Sequence, residues 1–189
     1  YQTPLKVPTS EEEPLKIPDV NNPRFSYGGG KILTELMGIN YGRKFFTKII
    51  IFRPHNVYGS NMGNEHVIPE LIKKMEKTRK NSYLKIQVTG KEIRSFIYIK
   101  DFISGFHKLL TKGKHLQIYN IGTTQSITIK DLVLKISKIM KKKIIIKTSA
   151  LKKGSTKIRK PNITKIRKLG FKPKYTLDQG LKEIIFNKK

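Results

Sequence analysis

The segment from residue 47 to residue 52 constrains the fold of this chain more than any other. It reads Thr-Lys-Ile-Ile-Ile-Phe, so β-branched and aromatic side chains fill most of it, and Arg53-Pro54 follows. A strand that is apolar on both faces is typical of a parallel sheet covered by helices, because both faces must be buried. The segment therefore predicts a buried strand of a parallel sheet.

Helical and strand-like patterns alternate along the rest of the chain. The spacing of apolar residues predicts helices over residues 31–42, 68–77, 128–140 and 177–186, and a strand over residues 117–121. Asp101 is expected to cap the start of a further helix. Residues 1–25 contain five prolines and an acidic run, and they predict an extended loop. Strands that alternate with helices imply an α/β architecture.

Two side chains of complementary chemistry flank three consecutive glycines. Tyr27 and Lys31 are four residues apart, so in a helix they lie on one face and the ammonium can approach the phenol oxygen. A nearby cation favours phenolate, the form that accepts a proton in general base catalysis. Each glycine destabilises a helix interior by about 1 kcal/mol relative to alanine, and local rules broken in this way often mark functional sites. The alternative interpretation is a flexible glycine turn beside an incidental Tyr and Lys.

The composition excludes several kinds of site. The chain has no cysteine, so it can form no disulfide, thiolate zinc site or cysteine nucleophile, which suits a reducing cytoplasm. Four histidines are scattered at positions 55, 66, 107 and 115 without the spacing of a metal site. The apolar runs are far shorter than a membrane span. We therefore predict a soluble, cytoplasmic protein with no metal ion and no membrane partner.

The charge balance raises the possibility of a nucleic-acid partner. Forty Lys and Arg against thirteen Asp and Glu give a formal net charge of +27, which attracts polyanions at low salt. The lysines are spread over nearly every segment, and neither an RNA-binding aromatic signature nor zinc-finger spacing is present. We expect no specific nucleic-acid partner, and a basic nucleic-acid-binding protein stays as an alternative.

Five motifs in sequence order carry a resemblance to a known family. They are Tyr27-Gly-Gly-Gly-Lys31, Phe52-Arg-Pro-His-Asn-Val-Tyr-Gly59, Gly90-Lys-Glu-Ile-Arg-Ser-Phe-Ile-Tyr-Ile-Lys-Asp101, Tyr119-Asn-Ile-Gly122, and Gly154 to Lys165 followed by Leu169-Gly-Phe-Lys-Pro173. With these motifs the chain resembles the nucleotide-sugar epimerases and dehydratases of the extended short-chain dehydrogenase/reductase family. The opening Tyr1-Gln-Thr-Pro is similar to the segment that follows the family's catalytic Ser/Thr strand.

The resemblance implies an α/β fold with a partial Rossmann-type parallel sheet and a smaller C-terminal substrate-binding region. Residues 1–59 would form the C-terminal part of the NAD-binding Rossmann domain and residues 60–189 the substrate-binding region, with about 101–122 returning to the Rossmann sheet. No Gly-x-Gly-x-x-Gly turn follows a strand in this chain, so the usual pyrophosphate cradle is missing. We therefore expect the C-terminal portion of a longer enzyme, inactive as a fragment.

The resemblance also implies which residues contact the cofactor NAD. Tyr27 would be the general acid/base, and Lys31 would be its partner and would hydrogen-bond the nicotinamide ribose. Pro54 and His55 match positions that line the nicotinamide. Hydride would leave C4 of the sugar as the tyrosinate takes the C4 hydroxyl proton, which gives a 4-keto intermediate.

Five other residues match positions that bind the nucleotide-diphosphate sugar in the family. Asn56 would contact the sugar nucleotide, and His66 and Val67 would grip the nucleotide. Arg94 and Arg159 would hold the diphosphate and ribose, because forked guanidinium donors pair phosphate oxygens at two points.

The family's chemistry leaves several alternatives open. These residues do not decide whether the enzyme is an epimerase or a dehydratase, or whether it uses NAD or NADP. They also do not identify the sugar or the base of the substrate. Family members commonly dimerise through the helix that carries the Tyr and Lys, here residues 28–42, so a homodimer is expected for the full-length enzyme. The alternative is a non-catalytic remnant that still binds nucleotide sugars.

Overall fold

Six α-helices are found in the computed structural model, which describes residues 4–79, 81–150 and 154–187. They are α1 (Ser26–Phe45), α2 (Val67–Lys77), α3 (Ile99–Lys112), α4 (Ile129–Ile139), α5 (Thr164–Arg167) and α6 (Leu177–Phe186), with a 3₁₀ turn (Pro23–Phe25) directly before α1. The strands are β1 (Ile50–Pro54), β2 (Val57–Tyr58), β3 (Ser82–Lys85), β4 (Ile93–Arg94), β5 (Ile97–Tyr98), β6 (Gln117–Ile121), β7 (Ile127–Thr128), β8 (Ile144–Lys147) and β9 (Ile158–Arg159).

Most of the strand pairs are parallel. β1 pairs with β6, β2 with β5, β3 with β8 and β4 with β9 in the parallel sense, and β4 also pairs with β7 in the antiparallel sense. Helices connect the parallel strands, as parallel pairing requires. The predicted α/β fold class is therefore confirmed.

The pairing of β1 with β6 creates the edge at which the predicted site residues lie. Their register joins Ile50 to Gln117 and Pro54 to Ile121, so both strands end at the same edge. The next backbone amide, that of His55, donates to the Ile121 carbonyl at 3.0 Å. β6 belongs to residues 101–122 and lies beside β1, while the division into residues 1–59 and 60–189 stays a prediction.

Two apolar clusters form the core of the described residues. The larger joins α2, α4 and α6, and its fully buried members include Ile68, Met75, Leu132, Ile136 and Leu181. The smaller lies between α3, β6 and α5 around Leu109, Ile121, Ile166 and Phe171. Each helix of the larger cluster has one apolar stripe, which the 3.6-residue period brings to one side.

Several local predictions agree with these elements. The helix predicted over 177–186 and the strand over 117–121 have the bounds of α6 and β6. Thr128 caps α4, and its hydroxyl accepts a hydrogen bond from the Asp131 amide. Residues 4–25 of the predicted opening loop contain only short turns, a bridge residue and the 3₁₀ turn, whereas residues 1–3 lie outside the described residues.

Two local predictions were wrong. The buried strand predicted over 47–52 begins at Ile50, ends at Pro54 and leaves Phe52 39% exposed. Asp101 does not cap a helix start, because α3 begins two residues earlier, after Tyr98. Its buried carboxylate instead accepts the backbone amides of Lys174 and Tyr175, at 2.9 and 2.8 Å, and so fixes the segment that precedes α6.

Candidate functional site

A cleft of about 810 Å³ runs along the whole of β1, from Ile49 to Asn56, and reaches Asn120 of β6. Six of the nine predicted site residues line it, and they are Tyr27, Lys31, Pro54, His55, Asn56 and Arg159. Ligands of α/β proteins bind outside the carboxyl ends of the parallel strands, and the part of the cleft that Pro54, His55 and Asn56 line lies at that end of β1. Residues far apart in the sequence thus share one cavity.

Tyr27 and Lys31 occupy the first two turns of α1. The Lys31 ammonium lies 5.3 Å from the centroid of the Tyr27 ring, as the four-residue spacing of a helix allows. Tyr27 is 77% exposed, so its phenol is accessible from the cleft. The two side chains therefore lie on one side of α1, with the ammonium over the ring.

His55 is held by hydrogen bonds at the end of β1. Its Nε2 lies 3.0 Å from the Asn120 side-chain oxygen, which assigns the proton to Nε2 because an amide oxygen only accepts. Burial lowers the pKa of His55; the hydrogen bond to Asn120 opposes this, and Arg53 and Arg159 lower it further. The imidazole is consequently neutral at neutral pH.

Asn56 turns the chain between β1 and β2. Its φ of 44° lies in the left-handed region, which asparagine adopts more readily than most residues. Its side-chain amide donates to the Ser95 carbonyl at 2.8 Å, and its own carbonyl accepts from the Ile97 amide. Asn56 therefore both lines the cleft and fixes the turn.

A buried ion pair in the lining of the cleft was not predicted from the sequence. Glu35 lies one helical turn after Lys31, and its carboxylate receives two hydrogen bonds from Arg53, at 3.0 and 2.5 Å. The side chains are only 9% and 10% exposed. Because Glu35, Lys31 and Tyr27 recur every four residues, the acid on this stripe was the available signal. The pair fastens α1 to β1.

A polar network extends this ion pair toward His55. Arg53 also donates to the backbone carbonyl of Glu11 at 2.9 Å. The Glu11 carboxylate accepts the backbone amide of Asn120 at 2.8 Å, and Asn120 contacts His55. The Asn120 amide nitrogen donates to the carbonyls of Thr9 and Asn162. The floor of the cleft is thus a continuous chain of hydrogen bonds.

The two predicted diphosphate arginines face each other across paired strands. Arg94 and Arg159 are register partners in β4 and β9, but only Arg159 lines the cleft. The Arg94 guanidinium donates to the carbonyls of Ile93, Lys157 and Thr156 at 2.8 to 3.1 Å. The pKa of Arg94 is lowered to about 10, first by burial and then by the charge of Arg159, so it stays protonated at neutral pH.

The structure does not bring His66 and Val67 to the cleft lining. His66 precedes α2 without a side-chain cap bond, and Val67 begins that helix. Both side chains are exposed. Their assignment to the nucleotide stays a prediction.

Two other kinds of feature are absent from the described residues. Within residues 4–79, 81–150 and 154–187, no three His, Asp or Glu side chains gather where they could hold a metal ion. In the same part of the chain, no helix combines the length and apolar character needed to cross a bilayer.

Comparison with known proteins identifies the class to which this fold and cleft belong. Residues 1–122 match the model of the NAD dependent epimerase/dehydratase family, and the chain belongs to that family. It is 28% identical over 170 residues to the dTDP-D-glucose 4,6-dehydratase of Mus musculus, a match that covers 86% of this chain and 47% of the relative. The chain spans about half or less of the length of the curated relatives that it matches.

Solved structures support the same fold. The dTDP-glucose 4,6-dehydratase of Bacillus anthracis, solved in complex with NAD, superposes with a TM-score of 0.81 at 24% identity, over 98% of this chain and 57% of that chain. The UDP-N-acetylglucosamine 4-epimerase of Methanobrevibacter ruminantium, in complex with UDP-N-acetylmuramic acid, gives a TM-score of 0.85 at 21% identity, over 98% and 58%. The predicted Rossmann-type fold and family are therefore confirmed.

Proposed function

We propose that this chain supplies the proton-transferring and substrate-binding part of an NAD-dependent nucleotide-sugar epimerase or dehydratase. The observation that carries the proposal is the cleft in which Tyr27 and Lys31 of α1 meet His55, Asn56 and Arg159. Its volume is typical of small-molecule sites. Relatives named as dTDP-D-glucose 4,6-dehydratases and a structural neighbour named as a UDP-sugar epimerase support this class of reaction.

The residues that would hold NAD fit its chemistry. NAD, when bound, supplies a hydride acceptor for the carbon that bears the reacting hydroxyl. Tyr27 and Lys31 would face its nicotinamide ribose, and Pro54 and His55 would line the nicotinamide. Burial lowers the pKa of His55, so the imidazole adds no positive charge beside the cationic oxidised ring.

Tyr27 is the proposed proton acceptor in the reaction. Its phenolate accepts the proton of the sugar C4 hydroxyl while the hydrogen on the same carbon leaves as hydride, and a 4-keto sugar results. The Lys31 ammonium lies over the Tyr27 ring, and both side chains line the cleft. Return of hydride to the other face gives an epimer, whereas loss of water across C5 and C6 gives a dehydrated sugar.

The remaining predicted residues are assigned to the substrate. Arg159 would pair with the diphosphate and Asn56 would contact the sugar nucleotide, while His66 and Val67 keep their predicted roles at the nucleotide. Arg94 was also predicted to hold the diphosphate, but its guanidinium donates to three backbone carbonyls. In the full-length enzyme we propose a homodimer through α1, whose exposed side chains include Leu33, Leu36 and Tyr41. A cytoplasmic location stays a prediction from the absence of cysteine.

Binding of nucleotide sugars by the chain tests the substrate assignment. UDP-glucose and dTDP-glucose are titrated into the wild type, Arg159→Gln and Arg79→Gln in a calorimeter at fixed ionic strength. At least one sugar nucleotide is expected to bind. Its binding to Arg159→Gln should be at least about tenfold weaker, because a charge-assisted hydrogen bond contributes about 1.5 to 3 kcal/mol. Arg79 is exposed and does not line the cleft, so its variant serves as the matched control.

Two other results would contradict the substrate assignment. One is the absence of binding of either nucleotide sugar to the wild type. The other is a preference for short DNA or RNA that falls steeply with salt and ignores Arg159→Gln, which would favour the basic nucleic-acid-binding alternative.

Turnover separates the enzyme from a non-catalytic remnant. The chain alone is expected to form no NADH with any nucleotide sugar, and NADH formation by the bare chain would refute its inactivity as a fragment. The same assay on a full-length protein that contains this chain should show activity that Tyr27→Phe abolishes. Binding without activity in that longer protein would favour the remnant.

A further inference from the structure

Another arginine, Arg24, lines the cleft together with Arg159. Arg24 lies in the 3₁₀ turn before α1, three residues before Tyr27, and lines the same cavity as Arg159. Its positive charge acts on both Arg94 and Arg159. Arg24 and Arg159 therefore reach the cleft from separate segments, and Arg94 lies within range of both charges.

The local structure holds the base of the Arg24 side chain in place. The Arg24 backbone amide donates to the Asn22 side-chain oxygen at 3.0 Å, which caps the 3₁₀ turn. Gly154, at a φ of 83°, packs so closely that a methyl group there would lie 3.4 Å from Arg24 Cδ and 3.3 Å from Phe25 Cζ. The loop that precedes β9 thus closes over the Arg24 stem.

The hydrogen bonds of Arg94 change how the diphosphate can be held. Three of its donor contacts go to the backbone carbonyls of Ile93, Thr156 and Lys157, so Arg94 joins β4 to the segment that leads into β9. It fixes the strand that carries Arg159 and contributes charge. The second forked donor for a diphosphate must then come from another side chain, and Arg24 lines the cleft where Arg94 does not.

The charges around Arg24 favour an anionic ligand. The ion pairs found within residues 4–79, 81–150 and 154–187 do not include Arg24 or Arg159. Like charges held near one another are unfavourable in the folded chain, and a bound anion relieves this repulsion. A ligand with two adjacent phosphates offers oxygens to two forks at once.

We propose that Arg24 is a specificity-determining residue that, with Arg159, grips the diphosphate of the substrate and selects a nucleoside diphosphate over a monophosphate. Arg94 positions Arg159 through its hydrogen bonds to the carbonyls of Thr156 and Lys157, which lead into β9. This inference rests on the proposed function, because it assumes that the cleft takes a nucleotide-diphosphate sugar.

The test compares UDP with UMP in calorimetric titrations of the 189-residue chain at constant ionic strength. Arg24→Gln is expected to weaken UDP binding about tenfold, since it removes a charge-assisted fork. UMP binding should change less than about twofold, because the second phosphate that Arg24 would contact is absent. Arg159→Gln should weaken both ligands, and Arg79→Gln neither. Inorganic pyrophosphate against orthophosphate repeats the comparison without a base.

The possible failures are distinct. A loss under twofold for UDP in Arg24→Gln, beside a large loss in Arg159→Gln, overturns the role of Arg24 and leaves the proposed function intact. An equal loss for UDP and UMP also overturns it. If wild type binds neither UDP nor pyrophosphate, the proposed function fails as well. Thermal unfolding without ligand should give Arg24→Gln a Tm no lower than wild type, which excludes misfolding as the cause.

Discussion

Helices α1 and α4 show two ways of fixing a helix to the same protein. In α4, Leu132, Val133 and Ile136 are fully buried among the side chains of α2 and α6. In α1, the buried groups are Gly28, Gly42 and the side chain of Glu35. A row of large apolar side chains is exposed, among them Leu33, Leu36, Met37, Tyr41 and Phe45. One helix is held by its apolar face, and the other by close backbone approach and one ion pair.

The difference shows that the best-packed part of the chain and the proposed catalytic residues lie on different helices. The cluster around α4 contains few polar groups and resembles the interior of any small domain. The helix that carries Tyr27 and Lys31 is joined to β1 by Glu35 and Arg53 and has little packed apolar area. We therefore expect local opening near α1 to cost less free energy than opening near α4.

Replacing one leucine in each helix by alanine tests this comparison. Among these tests it has the largest expected effect on the free energy of unfolding. Leu132→Ala is expected to lower the free energy of unfolding by about 3 to 4 kcal/mol, because it leaves a cavity in the buried cluster. Leu36→Ala, at a position that is 56% exposed, should change it by less than about 0.5 kcal/mol. Urea unfolding followed by circular dichroism measures both. Similar losses in the two variants would show that α1 is packed as firmly as α4.

Removal of one charge from each region gives the next largest effect. Glu35→Gln should cost about 2 to 3 kcal/mol, since it removes the charge of the carboxylate that receives two hydrogen bonds from the Arg53 guanidinium. Glu70→Gln is the matched control. Glu70 pairs with Lys74 across one turn of α2, and the two side chains are 38% and 36% exposed. Exposed pairs of this kind contribute about 0.5 kcal/mol or less. The same unfolding assay applies. A cost for Glu35→Gln no greater than that for Glu70→Gln would contradict the fastening role of the pair.

Two glycines of α1 provide the smallest and most local comparison. A methyl group on Gly42 would meet Ile49 Cδ1 at 2.6 Å, whereas one on Gly38 would have no atom within 4 Å. Gly38→Ala should stabilise the protein by about 0.5 to 1 kcal/mol through helix propensity. Gly42→Ala should destabilise it by about 1 kcal/mol, because the clash outweighs that gain. Tm shifts measure both, and a Gly42→Ala variant as stable as Gly38→Ala would argue against close approach of α1 to Ile49.

The sequence predicted those parts of the fold in which local pattern and burial agree. The bounds of α6 follow from its apolar spacing and from the capping box of Thr176 and Gln179. β1 was misplaced by a few residues because an apolar run does not reveal where its pairing with β6 begins. Asp101 was misread as a cap because its partners, the amides of Lys174 and Tyr175, are distant in the sequence.

The candidate site was predictable to the same extent. The four-residue spacing of Tyr27 and Lys31 is a local signal, and the structure places the two side chains together. The binding of Arg94 to backbone carbonyls of another segment has no signature in its own neighbourhood. The approach of Arg24 likewise depends on Gly154, which the chain brings back from far downstream.

The opening segment has a mechanical consequence for the cleft. Thr9 exchanges backbone hydrogen bonds with the residues on either side of Pro161, and its carbonyl also accepts from Asn120 of β6. A displacement of the segment that follows β9 away from β6 would have to break these bonds one after another. The segment of β9 that carries Arg159 is thereby tied to β6 through Thr9. We therefore expect changes in the width of the cleft to come from movement of α1.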